Sequence, residues 1–200
     1  MRKTGIMGGT FNPVHNAHLM LAECAMEEYN LNEVIFMTSG NPPHKRGIDM
    51  PDGEIRHEML KIALNGRDGF IADDYEVKLK DYSYSVNTMK HLKEKYTDSE
   101  LYFIIGGDSL CDLPKWYKPE ELLKLCTLLV YPRGESDIDR DICEMTKMYG
   151  GKIYPLKAPT VDVSSTQIRS RIKEGKDVSK MLPDGVVEYI RKHKIYTESR

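Results

Sequence analysis

A chain of two hundred residues suits a single domain, 1–200, long enough to bury about 70% of its unfolded surface. With 29 Lys and Arg against 31 Asp and Glu, the net charge of −2 excludes the broad basic footprint of a nucleic-acid binder, so functional cations must be locally clustered. Cys24, Cys111, Cys126 and Cys143 are scattered without a C-x-x-C pair, and no export signal or membrane-length apolar run is present. The chain is therefore expected to be reduced, cytoplasmic and free of membrane contact.

A first strand is expected near Thr4–Met7, and a helix near Ala17–Tyr29 with Leu19, Ala22, Met26 and Tyr29 on one face. Between them runs Gly8-Gly9-Thr10-Phe11-Asn12-Pro13-Val14-His15-Asn16-Ala17-His18. Strand, glycine turn and helix start form an anion site: glycines let backbone amides approach, and the first helical turn adds unpaired N–H groups and a positive dipole end. His15 and His18, three residues apart, are expected to point at the same anion. Taken alone, Gly8-Gly9 reads equally as an ordinary strand–helix turn. The histidine pair lacks the H-E-x-x-H spacing of a zinc site, and the segment has neither a Walker lysine nor the dinucleotide glycine spacing.

Strands are next expected near Val34–Met37, Phe70–Ala72, Leu101–Ile105, Leu128–Tyr131 and Lys152–Tyr154. Helices are expected near Gly53–Leu64, Ser85–Lys95, Pro119–Leu125, Asp139–Tyr149, Ser165–Glu174 and Gly185–Lys192. This alternation predicts an α/β protein: a Rossmann-like, doubly wound, mostly parallel sheet with helices on both faces and C-terminal helices. In such sheets ligands bind beyond the carboxyl ends of the strands. Polar clusters fall there: Gly8-Gly9-Thr10; Asn41-Pro42-Pro43-His44-Lys45; Gly106-Gly107-Asp108-Ser109; and Pro132-Arg133-Gly134. The two prolines stiffen the loop that carries Lys45. Asp108 suits ribose hydroxyls or a metal, or is simply a turn residue.

Ser164 followed by Gln167 forms a capping box, so Ser164-Ser165-Thr166 with Arg169 makes a second helix-start anion site, or otherwise a well-capped surface helix. Ser83-Tyr84-Ser85 brings hydroxyls to another helix start. Trp116, the one tryptophan, would ordinarily be core. Its neighbours Lys115, Tyr117, Lys118 and Pro119 instead favour an exposed loop and stacking on a flat ligand.

His15-Asn16-Ala17-His18 resembles the (H/T)-x-G-H signature of the nucleotidylyltransferase superfamily, with Ala17 for glycine. Val163-Ser164-Ser165-Thr166-Gln167-Ile168-Arg169 resembles its I-S-S-T-x-I-R motif, with Val163 for isoleucine. Together with Pro42-Pro43-His44-Lys45, Ser83-Tyr84-Ser85, Gly107-Asp108-Ser109 and Trp116-Tyr117, nearly the whole chain resembles the bacterial nicotinate-nucleotide adenylyltransferase family. Ser85 stands where the family usually has threonine. The resemblance implies transfer of AMP from ATP to nicotinate mononucleotide, with pyrophosphate released and Mg²⁺ accompanying ATP. It places Gly8, Gly9, Thr10, Phe11, Gly107, Asp108, Ser164, Ser165 and Thr166 around ATP. His15, His18, Lys45 and Arg169 would neutralise phosphate charge, and Tyr84, Ser85, Trp116, Tyr117 and Arg133 would receive the acceptor. Alternatives are another phosphate acceptor (nicotinamide mononucleotide or phosphopantetheine) or a nucleotide sensor without turnover. A homo-oligomer is left open.

Overall fold

The computed structural model describes residues 1–40, 50–79, 82–132, 137–159 and 163–197. Its elements in chain order begin with β1 (Arg2–Gly9), α1 (Asn16–Tyr29), β2 (Glu33–Thr38), α2 (Gly53–Leu64), β3 (Phe70–Asp73), α3 (Tyr75–Lys78), α4 (Ser85–Lys95) and β4 (Ser99–Gly106). There follow α5 (Gly107–Cys111), a 3₁₀ turn (Leu113–Lys115), α6 (Pro119–Leu125), β5 (Thr127–Tyr131), α7 (Ile138–Tyr149), β6 (Ile153–Pro155), α8 (Ser165–Lys173) and α9 (Asp184–His193). The six strands form one sheet in the order β3-β2-β1-β4-β5-β6, and all five pairings are parallel.

Alternation along the strands divides the core into two layers. Ile6, Ile35, Met37, Phe103, Ile105, Leu128 and Val130 face the side that packs Val86, Met89 and Leu92 of α4 and Leu122 and Leu123 of α6. Met7, Val34, Phe36, Ile104 and Leu129 face Leu19 and Ala22 of α1, Met59 and Leu60 of α2, Ile168 of α8 and Val186 and Ile190 of α9. Strands covered on both faces read as continuous apolar runs, which explains why all six residues of β2 are buried.

The strand order reverses between β1 and β4, so the chain leaves these neighbours in opposite directions and opens a crevice at their carboxyl ends. The expected elements are present, with two additions. Gly107 and Asp108, read as a turn after β4, instead begin α5, and Tyr75–Lys78 forms a single helical turn too short to leave a periodic signal.

Candidate active site

The crevice holds a cavity of about 660 Å³ lined from both sides of the switch point. Gly8, Gly9 and Thr10 at the end of β1, and His18 on α1, form one wall. Ser83, Tyr84, Ser85, Trp116 and Tyr117 form another, and Gly106, Ser109, Asp112 and Lys115 close the β4 side.

The β1–α1 loop is set by its neighbours. A Cβ on Gly9 would come within 3.2 Å of the Phe11 ring, so glycine is what lets that ring pass beneath the strand end. Phe11 has a left-handed backbone (φ 46°), is buried, and meets the His18 ring edge-on at 5.1 Å. Phe11 thus supports His18 from below and does not line the cavity. His15 is the N-cap of α1 with extended backbone, and its own N–H donates to His18 Nδ1 at 3.2 Å. Its ring stacks on that of His18 (centroids 3.7 Å, 24° between planes) and is only 5% exposed. The two rings were expected to face the anion side by side. They lie one behind the other because an N-cap residue precedes the helical turn, and His18 is the one at the cavity wall. With Nδ1 accepting, a neutral His18 carries its proton on Nε2, which makes Nε2 a donor.

The second motif meets the first across more than 150 residues of sequence. Ser165 Oγ donates to the Pro13 carbonyl at 3.0 Å, and Arg169 Nη1 donates to the Asn12 carbonyl at 2.8 Å. Arg169 Nη2 also donates to Thr166 Oγ1, and Ser164 Oγ accepts from the Gln167 amide, forming the expected cap. From the C-terminal segment, the Tyr196 hydroxyl donates to Asn12 Oδ1 at 2.6 Å, and burial pushes that phenol well above its ordinary pKa. The motif therefore abuts the β1–α1 loop without itself lining the cavity. Gly107 is buried and Asp108 is exposed on the first turn of α5. The cavity on that side is lined by Gly106 and Ser109 instead.

The opposite wall is aromatic. The Tyr84 and Tyr117 rings lie 4.9 Å apart, and Tyr117 is 49% exposed. Trp116 is half-buried, its ring tilted against Phe103 at 6.2 Å, so it belongs both to the cavity and to the α4–α6 layer. A loop-surface residue free to stack on a ligand was expected, and Trp116 does line the cavity. The preceding 3₁₀ turn brings the indole back onto β4. Tyr84 is the N-cap of α4, with extended backbone and no side-chain cap. Ser85 thus stands at a helix start whose first amides have no intrahelical acceptor. Lys45 and Arg133 lie outside the described residues.

Two residues at the site escaped sequence reasoning. Glu76 is buried, lines the cavity and accepts from Thr88 Oγ1 at 2.6 Å; burial raises its carboxyl above the usual range, partly opposed by the Thr88 hydroxyl. Nothing in its four-residue helix announces it. Arg56 is 1% exposed and donates to three carbonyls: Pro51 from Nε at 3.0 Å, Thr10 from Nη1, and Gly40 from Nη2 at 3.2 Å. A faint signal existed, since Arg56 shares the helical face of Met59, Leu60 and Ala63, where an apolar residue belongs.

Among the described residues, no three His, Cys, Asp or Glu side chains cluster as a metal cage would require. The chemistry offered is that of backbone amides, a histidine donor and an aromatic slot.

Comparisons with known proteins agree with this geometry. Residues 6–171 match the cytidylyltransferase-like family model. The chain is 42% identical over 200 residues to a probable nicotinate-nucleotide adenylyltransferase of Clostridium botulinum (strain Loch Maree / Type A3), covering 98% of this chain and all of that relative. It is 41% identical to the probable nicotinate-nucleotide adenylyltransferase of Lachnoclostridium phytofermentans, with the same coverage. The fold is shared with the Plasmodium falciparum nicotinic acid mononucleotide adenylyltransferase complexed with NaAD (TM-score 0.82, 22% identity, 98% of each chain). The chain belongs to the cytidylyltransferase-like family and, within it, to the nicotinate-nucleotide adenylyltransferases.

Proposed function

We propose that this protein transfers the AMP moiety of ATP to nicotinate mononucleotide, forming nicotinate adenine dinucleotide and pyrophosphate in NAD biosynthesis. The observation that carries the reading is one cavity with two unlike walls: an anion-binding loop of Gly8, Gly9, Thr10 and His18, and an aromatic helix start of Tyr84, Ser85, Trp116 and Tyr117. The first wall suits a triphosphate and the second a flat pyridine ring bearing a carboxylate.

In this mechanism an oxygen of the acceptor's phosphate attacks the α-phosphorus of ATP. A new P–O bond forms as the bond to the bridging oxygen of the β-phosphate breaks, and that oxygen leaves with pyrophosphate. A phosphate monoester has a second pKa near ~6 and is already largely deprotonated at neutral pH, so no general base is required. What remains is alignment and stabilisation of charge on the departing pyrophosphate. The Thr10 amide, just past the end of β1, and the Nε2–H of His18 supply donors on one wall, with Lys45 as an added cation. Gly8 and Gly9 let the phosphates approach the strand end with no Cβ in the way. His15 and Arg169 act from one layer back, His15 by stacking on His18 and Arg169 by holding the Asn12 carbonyl. Ser164, Ser165 and Thr166 support the ATP side from behind the β1–α1 loop, and Gly107 and Asp108 are assigned to it from the first turn of α5, beside the cavity-lining Gly106 and Ser109. On the acceptor side, the amides and hydroxyl at Ser85 receive the pyridine carboxylate, Trp116 and Tyr117 cover the ring, and Arg133 is assigned to the acceptor as a cation. Mg²⁺ brought with ATP would supply further neutralisation of phosphate charge. No covalent enzyme intermediate forms.

In this reading the enzyme works in the cytoplasm, where its substrates are. No helix among the described residues is long and apolar enough to cross a membrane. The test is pyrophosphate release with ATP and Mg²⁺, offering nicotinate mononucleotide, nicotinamide mononucleotide and phosphopantetheine separately. Release driven mainly by the first supports the proposal. Release driven mainly by another acceptor reassigns the acceptor wall, and ATP binding without release in any arm indicates a nucleotide sensor.

A further inference from the structure

Arg56 is a buried cation that the mechanism so far leaves unused. Its guanidinium spans three separate stretches of chain: Thr10 in the anion-binding loop, Gly40 just beyond β2, and Pro51 just before α2. Gly40 is itself confined, since a Cβ there would stand 2.3 Å from the Glu76 carbonyl oxygen. Among the described residues Arg56 makes no ion pair with a carboxylate; its partners are backbone carbonyls. Keeping a charge so deep is costly even with the Asp52 carboxylate acting on it from a distance, and removing the guanidinium would also strand three carbonyls.

We propose that Arg56 is a positioning residue for nucleotidyl transfer, holding the anion-binding loop in its phosphate-receiving form and adding positive charge behind it. The inference rests on the proposed function. The Thr10–Phe11 peptide is trans, so fixing the Thr10 carbonyl on the Arg56 side turns the Phe11 N–H away from it. The neighbouring Gly9 carbonyl is likewise taken, by the Ser39 amide at 2.9 Å, which orients the Thr10 N–H in the same manner. Arg56 thus links the ends of β1 and β2 at the point where loop amides must be fixed before phosphate arrives. The planar fork matters as much as the charge: three carbonyls in three directions match a guanidinium and not an ammonium.

The test uses Arg56→Lys, which keeps stem and charge, and Arg56→Ala with methylguanidinium added back. Inorganic pyrophosphate and adenosine are the calorimetric probes, and kcat and KM are measured with ATP and nicotinate mononucleotide. Arg56→Lys is expected to lose about tenfold in pyrophosphate affinity and about 10²-fold in kcat/KM, the scale of a slightly misplaced site, with adenosine affinity nearly unchanged. Methylguanidinium is expected to restore kcat/KM to Arg56→Ala in a saturable way. Wild-type pyrophosphate affinity and kcat/KM in folded Arg56→Lys would overturn the proposal. So would a rescue of melting temperature in Arg56→Ala that leaves kcat/KM depressed, since Arg56 would then serve the fold alone. If the wild type shows no turnover with any acceptor, the proposed function fails by itself, and pyrophosphate affinity across the variants still decides the role of Arg56. A wild type that does not bind pyrophosphate overturns both.

Discussion

The two walls of the cavity are built on opposite plans. On the β1–α1 side the ligand-facing groups are largely backbone, and they are held from behind. The carbonyls of Gly9, Thr10, Asn12 and Pro13 accept from Ser39, Arg56, Arg169 and Ser165, contributions from β2's end, α2 and α8. On the α4 side the ligand-facing groups are side chains on short elements. Tyr84 and Tyr117 pack on each other, Trp116 packs on Phe103 of the layer beneath, and the Tyr117 ring is half in solvent. A backbone site cannot be changed by substituting the residue that binds. It is tuned through its tethers, and it can therefore serve one invariant chemical group such as a phosphate. A side-chain site changes with each substitution, which suits the part of a substrate that must be told apart from close analogues.

The largest effect that can break this comparison is the choice of acceptor. The first amides of α4, which have no intrahelical acceptor, and the Ser85 hydroxyl match a carboxylate, whereas a carboxamide would turn its NH₂ toward donors. Two unsatisfied groups at about 1–3 kcal/mol each predict a preference for the acid on the order of 10²–10⁴ in kcat/KM. Equal kcat/KM for the two mononucleotides would mean that this wall does not discriminate.

On the other wall, His18→Ala removes the imidazole donor at the cavity edge. The expected loss is about 10²–10³ in kcat, the scale for one donor to a developing negative charge, with ATP binding changed much less. Near wild-type kcat would leave the loop amides as sufficient and take His18 out of the chemistry.

Trp116→Ala tests whether the aromatic wall acts by stacking. A ring contact that persists from ground state to transition state raises KM for the acceptor by the equivalent of about 1–3 kcal/mol and spares kcat. Because Trp116 also packs on Phe103, a modest fall in melting temperature should accompany it. Weakened ATP binding with an unchanged acceptor KM would move Trp116 to the nucleotide side.

The smallest effects are in stability against pH, where two buried groups near the cavity respond with opposite sign. His57, beneath the β2 end, bonds through Nδ1 to Thr38 Oγ1, and burial holds its pKa below the ordinary value. The unfolded imidazole protonates first as pH falls through about 6.5, so His57 costs stability on acidification, the loss being complete below its folded pKa. Glu76, on the α4 side, has its pKa raised by burial. Its contribution is fully present below the unfolded carboxyl's ~4.3 and is lost as pH rises through the higher folded value. Melting curves of Glu76→Gln against wild type should therefore diverge as pH rises, with the variant the more stable. A gap independent of pH would show that folding leaves the Glu76 pKa unshifted.

Much of this molecule can be read from local pattern. The alternation of apolar strands and amphipathic helices determined the fold class, since each short run has one way to bury itself on both faces of a parallel sheet. Gly8-Gly9, the two histidines and Ser164-Ser165-Thr166 marked the turns and helix starts because those conformations demand particular residues. Only the tertiary structure decided what those segments do to one another. That Ser165 and Arg169 grip the carbonyls of the β1–α1 loop follows from sheet order, not from spacing. His15 lies behind His18, and Trp116 folds back onto β4, because rotamers and packing are settled by neighbours remote in sequence. Arg56 and Glu76 left almost no trace in the chain: a buried charge becomes intelligible only when the carbonyls and hydroxyls that surround it, drawn from several elements, are in place.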